Sequence, residues 1–340
     1  MSSPDFEKEL LSAAQFDGSV HAARFSWSCS RERLFRRCRR AFFIGYFLSQ
    51  GGWDPLVHPL IRSAYLEKNW LSFRLWLTKT VQAGIAAGLK KAAPLPPDER
   101  RKVFASGCLR FFSKNLFELE FSMEHEEYRN DPKRPCVREC LNGRMDRFPE
   151  FRKQALDSFS SVYAALMKAP WFQDILKLDV MHFRFGDDLI ALHIDQWPVW
   201  FAPGLVFSLG KRFNMFLCSA SIPDSLSPKE TEPDELPDPV RVTAALFEMH
   251  VRSKGRQEAP LARLFRFGQD GAEWEEIQPC PDIRALIRSG AEAMFSRIRP
   301  DGSVHFGDFP KTSEPEQCAD CQYAGTCRML DQWADCHRHS

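Results

Sequence analysis

Cys318-Ala319-Asp320-Cys321-Gln322-Tyr323-Ala324-Gly325-Thr326-Cys327, close to the end of a 340-residue chain, is a Cys-x2-Cys-x5-Cys run. Three thiols at this spacing suit a soft metal and leave a four-thiolate shell one ligand short. Two sources for the fourth ligand stand open. Cys336 is the local one, with His337 or His339 as substitutes, and would make a zinc knuckle. Cys38 is the distant one, within Ser28-Cys29-Ser30-Arg31-Glu32-Arg33-Leu34-Phe35-Arg36-Arg37-Cys38-Arg39-Arg40-Ala41-Phe42-Phe43. It completes the shell only if the fold brings the two ends of the chain together, so that the metal acts as a clasp. Zinc and a 4Fe–4S cluster both suit four thiolates, and ordinary free thiols are the remaining alternative.

Outward from the cysteines, composition sets the class. With 44% hydrophobic and 27% charged residues the chain is globular and can bury a real core. Lys and Arg number 46 against 45 Asp and Glu, for a net charge of +1, so attraction to nucleic acid has to come from a local patch. Arg31, Arg33, Arg36, Arg37, Arg39 and Arg40 form such a patch. No apolar run has the length of a membrane span, and Asp5, Glu7 and Glu9 stand where a signal peptide would be basic and then apolar. A cytoplasmic protein with no membrane partner is expected. Eleven cysteines without a regular framework suit a reducing compartment, with Cys108, Cys136, Cys140, Cys218 and Cys280 read as plain core or surface thiols.

Periodicity predicts a helix over 26–48, capped by Ser28 or Ser30, with Leu34, Cys38 and Phe42 on one face and Gly51-Gly52 at its end. Further helices are expected over 71–91, 100–127, 151–169, 240–251 and 283–299, with Pro94-Leu95-Pro96-Pro97 as a break. His182 to Phe185, a Gly186-Asp187-Asp188 turn and Leu189 to Ile194 read as a β-hairpin. Other strands are expected at 199–201, 205–208, 213–218, 261–267 and 274–278. Residues 219–239, with five prolines and six acids, read as an exposed loop. The order implies an α/β or α+β fold. Residues 1–25 are an N-terminal extension, 26–330 one compact domain and 331–340 a tail.

The segment from Ser28 to Cys38, followed by Arg40, Phe42, Phe43 and Tyr46, resembles the start of the Fe–S subgroup of PD-(D/E)XK nucleases, which includes RecB-like and CRISPR-associated exonucleases. Phe309-Pro310 through Cys327 resembles their other end. Gly51-Gly52-Trp53, Asp131-Pro132-Lys133-Arg134 with Glu139, and Pro198-Val199-Trp200 running into Pro203 agree further. The resemblance implies a restriction-endonuclease-like mixed sheet flanked by helices and a structural 4Fe–4S cluster on Cys38, Cys318, Cys321 and Cys327. It also implies DNA as a partner, in repair or anti-phage defence, with protein partners in such a complex.

Members of that subgroup cut phosphodiesters with a divalent cation held by acids, and with a lysine beside it. Where the second helix would carry a histidine, this chain has Trp76-Leu77-Thr78, then Val81 and Gln82. Where Pro-Asp-Leu would supply a carboxylate it reads Pro203-Gly204-Leu205, and Phe213 to Ala220 contains neither acid nor lysine. The Gln-x3-Tyr of the following helix is missing from 240–249. The expectation is therefore a nuclease-like protein without catalytic magnesium. Two alternatives remain open: a relocated acidic site from Asp187, Asp188, His193, Asp195 and Lys211, or a zinc-stabilised interaction protein. For Asp187 and Asp188 the competing reading is a plain turn, and for His193 and Asp195 an exposed or hydrogen-bonded strand face. Glu118, Glu120, Glu124, Glu126 and Glu127 read as a solvated helix face, which could also pair with the arginines of residues 31–40. If those arginines are free they suit phosphate oxygens, and Phe42, Phe43, Tyr46 and Trp53 could stack on unpaired bases or lie in the core.

Overall fold

The computed structural model describes residues 26–141, 145–179, 182–184, 189–227, 236–300, 303–319 and 321–338, the side chains of 319 and 334–338 excepted. The N-terminal extension thus lies outside the described residues.

Helix α1 (Cys29–Arg37) starts at Ser28, whose hydroxyl accepts from the Arg31 N–H. The single helix expected over 26–48 is broken. Cys38 is extended, at φ −158° and ψ 113°, and caps a second helix, α2 (Arg39–Phe43), with its sulfur accepting from the Ala41 N–H. One π-helical turn, Ile44–Leu48, follows. Apolar periodicity runs on through the break, which is why the sequence reads as continuous.

After α3 (Pro59–Asn69), α4 (Phe73–Ala92) and α5 (Pro97–Glu124) pair through the expected Pro94–Pro97 break. They approach closely because Gly88 has no side chain. A Cβ there would sit 2.9 Å from the Phe104 carbonyl oxygen. Helix α6 (Phe148–Lys168) covers the far strands of the sheet, and the short α7 (Pro170–Ile175) follows it.

Strands β1 (Phe183–Arg184), β4 (Leu205–Leu209), β5 (Arg212–Ala220), β6 (Leu261–Gly268) and β7 (Gly271–Glu276) form a mixed sheet in the order β1-β4-β5-β6-β7. The β5–β6 pair is parallel, and α8 (Pro239–Ser253) makes the crossover that a parallel pair requires. A separate antiparallel pair joins β2 (Ile190–Ile194) to β3 (Trp197–Phe201). The hairpin expected between 182–185 and 189–194 is therefore corrected: β1 pairs with β4, and β2 turns back onto β3. The turn is Asp195-Gln196, with Asp195 at φ 55°, a left-handed conformation that Asp tolerates better than most residues. The loop expected over 219–239 is anchored where described, since Ile222 and Ser227 are buried.

Alternation along the strands divides the apolar side chains between two faces. Val206 and Met215 join one core, with Trp27, Phe42, Phe43, Val242 and Ile287; Phe207, Phe216 and Phe265 join the other, with Phe73, Phe112 and Phe151. Each fully buried phenylalanine contributes roughly 1.5–3 kcal/mol of transfer free energy. The chain closes with α9 (Ile283–Phe295), α10 (Pro315–Ala319) and α11 (Ala324–Arg338), and α11 runs across position 330 with Leu330 buried.

Candidate functional site

The two ends of the chain are packed together. The Arg40 N–H donates to the Pro310 carbonyl at 3.1 Å, and Arg40 Nε donates to the Phe309 carbonyl at 2.8 Å. The same guanidinium lies 3.9 Å from the Phe306 ring centre and 3.8 Å from Asp331. Phe309 is enclosed by Phe42, Phe43 and Phe47, with ring centres 6.2, 5.4 and 5.7 Å away. Glu67 on α3 accepts from the Thr326 N–H at 3.1 Å, and the Thr326 hydroxyl lies 3.1 Å from that of Ser63.

Cys38, Cys321 and Cys327 lie in this junction, within electrostatic reach of one another. Burial pushes the Cys321 thiol up to about 11; Arg37 opposes the rise, and Cys38 and Cys327 add to it. Burial also raises Cys327, with Lys311 and Arg40 opposing and Asp331 and Cys38 adding. Cys318 is exposed. Cys336 lies in α11, and its side chain is outside the description. Among the described residues no group of three or more His, Cys, Asp or Glu side chains is arranged to hold a metal ion. The donors nevertheless fit a soft metal by chemistry: buried thiols ionise only if a cation compensates them, and Arg37, Arg40 and Lys311 would offset the negative charge of a thiolate-bound centre.

Elsewhere α4 is bonded directly to the backbone of β5. Thr78 Oγ1 accepts from the Ala220 N–H at 2.9 Å, and Gln82 Oε1 accepts from the Cys218 N–H at 3.2 Å. Gly204, just before β4, has φ +70°, and a Cβ there would lie 2.7 Å from the Phe216 carbonyl oxygen and 3.2 Å from Gln82 Nε2. The backbone and the neighbouring contacts both demand glycine. Cys218 is buried, and desolvation raises its thiol. Thr78, Gln82 and Gly204, noted in the sequence for what they lack, thus hold the helix to the strand and leave no room for a carboxylate at position 204.

The acidic alternative is dispersed. Asp195 sits in the β2–β3 turn, 2.8 Å from Arg288 and 3.7 Å from Arg284 on α9. His193 is exposed opposite Pro198, and Lys211 occupies the β4–β5 turn on the other sheet. Asp187 and Asp188 lie outside the described residues.

Several of the N-terminal arginines serve the fold. Arg31 donates to Ser26 Oγ at 2.8 Å and lies 4.9 Å from the Tyr46 ring centre. Arg36 pairs at 2.8 Å with buried Glu32, which also accepts from Trp27 Nε1 at 2.6 Å. Arg33 and Arg37 are half-buried, and Arg39 is exposed over the Phe35 ring. Four of the five acids at 118–127 pair with other partners: Glu118 with Lys114, Glu120 with Arg152, Glu126 with Arg129 and Glu127 with Arg134. Phe42 and Phe43 are buried in the core, whereas Trp53 is exposed. No helix among the described residues is long and apolar enough to cross a membrane.

No family model matches the chain, and no curated protein does. Among solved structures, one described as "Crystal structure of SSO0001" matches with 10% sequence identity and a TM-score of 0.27, over 53% of this chain and 77% of that one. A likeness that slight carries no argument about fold or activity.

Proposed function

We propose that this chain is a non-hydrolytic PD-(D/E)XK-like protein of the cytoplasm, held by a structural 4Fe–4S cluster on Cys38, Cys318, Cys321 and Cys327. It would bind DNA or scaffold partner proteins in a repair or anti-phage complex. The carrying observation is that the two ends of the chain are joined, Arg40 bonding to Phe309 and Pro310 and lying 3.8 Å from Asp331, which brings Cys38 within electrostatic reach of Cys321 and Cys327. A bound cluster would supply cross-linking of the two ends. Arg37, Arg40 and Lys311 would balance its charge, and Phe42, Phe43 and Phe309 would exclude water. The lack of cutting is supported by Thr78 and Gln82, which accept from the Ala220 and Cys218 N–H groups of β5, and by Gly204, which leaves no room for a carboxylate. Arg31, Arg36 and Arg40 are engaged within the protein, which favours the scaffolding role over phosphate binding by that segment.

The test is anaerobic purification, with iron, acid-labile sulfide and zinc measured on the same sample used for a nuclease assay in magnesium or manganese. Brown protein with iron and sulfide and no cleavage is expected. Zinc without iron would replace the cluster with a zinc-stabilised interaction protein. Cleavage abolished by Asp195→Asn would establish the relocated acidic site.

A further inference from the structure

A cavity of about 400 Å³ lies between the β1–β4 edge of the mixed sheet and the C-terminal end of α8. Its volume falls within the range typical of small-ligand sites. Buried Val206, Phe247 and Val251 make an apolar floor, and half-buried Phe213 adds ring surface at the side.

The lining is also cationic. Arg184, Lys254 and Arg256 are exposed at the cavity, and the Arg256 guanidinium lies 5.5 Å from the Phe213 ring centre. Lys254 and Arg184 both act on the His250 imidazole, which burial already holds below its ordinary pKa. His182 Nδ1 lies 3.1 Å from the Ser208 hydroxyl, so polar groups reach the sheet side as well. Among the described residues lining the cavity there is no Asp or Glu. One turn away on α8, outside the lining, Glu248 pairs with Arg252 at 2.6 Å, so this surface does supply acids to cations that do not face the cavity.

Like charges gathered with no acid among the described lining residues repel, and an anion relieves that repulsion. A bare anion would leave the phenylalanines uncovered, and a hydrocarbon would leave the cations without a partner. The chemistry that meets both demands is a flat, largely apolar ring carrying an anionic group. We propose that this cavity binds a phosphate-bearing nucleotide, with its phosphate against Arg184, Lys254 and Arg256 and its base against Phe213. A free mononucleotide and the terminal nucleotide of a strand share this chemistry. The lining contains none of the four cysteines of the clasp, so the site stands whether or not the chain holds a cluster.

Calorimetric titration of the full chain tests the assignment with dTMP, thymidine, inorganic phosphate, and short oligothymidylates ending in a 5′-phosphate or a 5′-hydroxyl. Saturable binding of dTMP is expected, with thymidine and inorganic phosphate each weaker by about tenfold or more. Arg184→Gln, Lys254→Gln and Arg256→Gln combined should weaken dTMP by about tenfold or more, while Lys153→Gln on the far surface of α6 leaves it unchanged. All three cavity positions are exposed, and an unchanged melting temperature verifies the fold of the triple variant. Tighter binding of the 5′-phosphorylated oligonucleotide than of dTMP assigns the site to a strand end, and the reverse order assigns it to a free nucleotide. Thymidine binding as well as dTMP, no saturation by any probe, or undiminished binding by the triple variant would overturn the proposal.

Discussion

The junction of the chain ends and the contact of α4 with β5 are both built from segments far apart in sequence, but they use their polar atoms differently. At the junction, the Arg40 and Glu67 side chains bond to backbone groups of the C-terminal segment, while Cys38, Cys321 and Cys327 are free of disulfides. At the α4–β5 contact, Thr78 and Gln82 are consumed by the strand, and Gly204 excludes any larger side chain. Reactive ligand atoms are retained in one region and replaced by structural bonds in the other. With the proposed cluster bound, that contrast would separate the place that holds it from one closed to a metal.

The largest effect should come from Cys38→Ser. With the cluster bound, this change should release iron, expose both ends of the chain to protease and lower the melting temperature by roughly 10 °C or more, because metal binding free energy is folding free energy. Cys336→Ser should leave iron content and melting unchanged. The opposite pattern would place the fourth ligand locally and break the contrast at its stronger side.

Gly204→Asp restores the missing carboxylate in name. At φ +70°, with a backbone oxygen 2.7 Å from the new Cβ, it should cost about 2–4 kcal/mol in urea unfolding and yield no magnesium-dependent cleavage. A stable, active Gly204→Asp protein would show the α4–β5 contact to be open. Thr78→Val sharpens the same side more gently. It leaves the Ala220 N–H without its acceptor and should cost about 1–2 kcal/mol by the same measurement.

The smallest effect concerns Glu67, whose carboxyl burial pushes up to about 7 against the opposing Thr326 hydrogen bonds. Its folded pKa lies above its unfolded value of about 4.3, so the folded state binds the extra proton between those limits. Its contribution is fully present below the unfolded value and is lost as pH rises through about 7. Glu67→Gln should flatten the decline in urea midpoint between pH 5 and pH 7.5. An unchanged slope would show that the junction's pH response has another source.

Helix α4 was legible almost to its ends, 71–91 against Phe73–Ala92, because its apolar period is long and Ser72 supplies a cap. The break at Cys38 was not. No glycine or proline marks it, and the cap there is a cysteine sulfur. The β2–β3 hairpin was hidden by a two-residue turn that lacks glycine, while Gly186-Asp187-Asp188 offered a more familiar turn signal. The cationic cavity was not legible either, since Arg184 on β1 lies 66 residues before His250 at the end of α8, and nothing local shows that the two face one cavity.

The sequence by itself determined which chemistry is available: a set of thiols with one member far upstream, arginines around it, and glycine at position 204. Side-chain identity is local information, and reading it requires no partner. Only the tertiary structure decided which of these residues meet. The neighbourhood of Cys38 with Cys321 and Cys327, and the engagement of Thr78 and Gln82 by β5, depend on packing two aromatic cores on opposite faces of one sheet. Such non-local contacts follow from burial summed over many side chains, which no short stretch of sequence records.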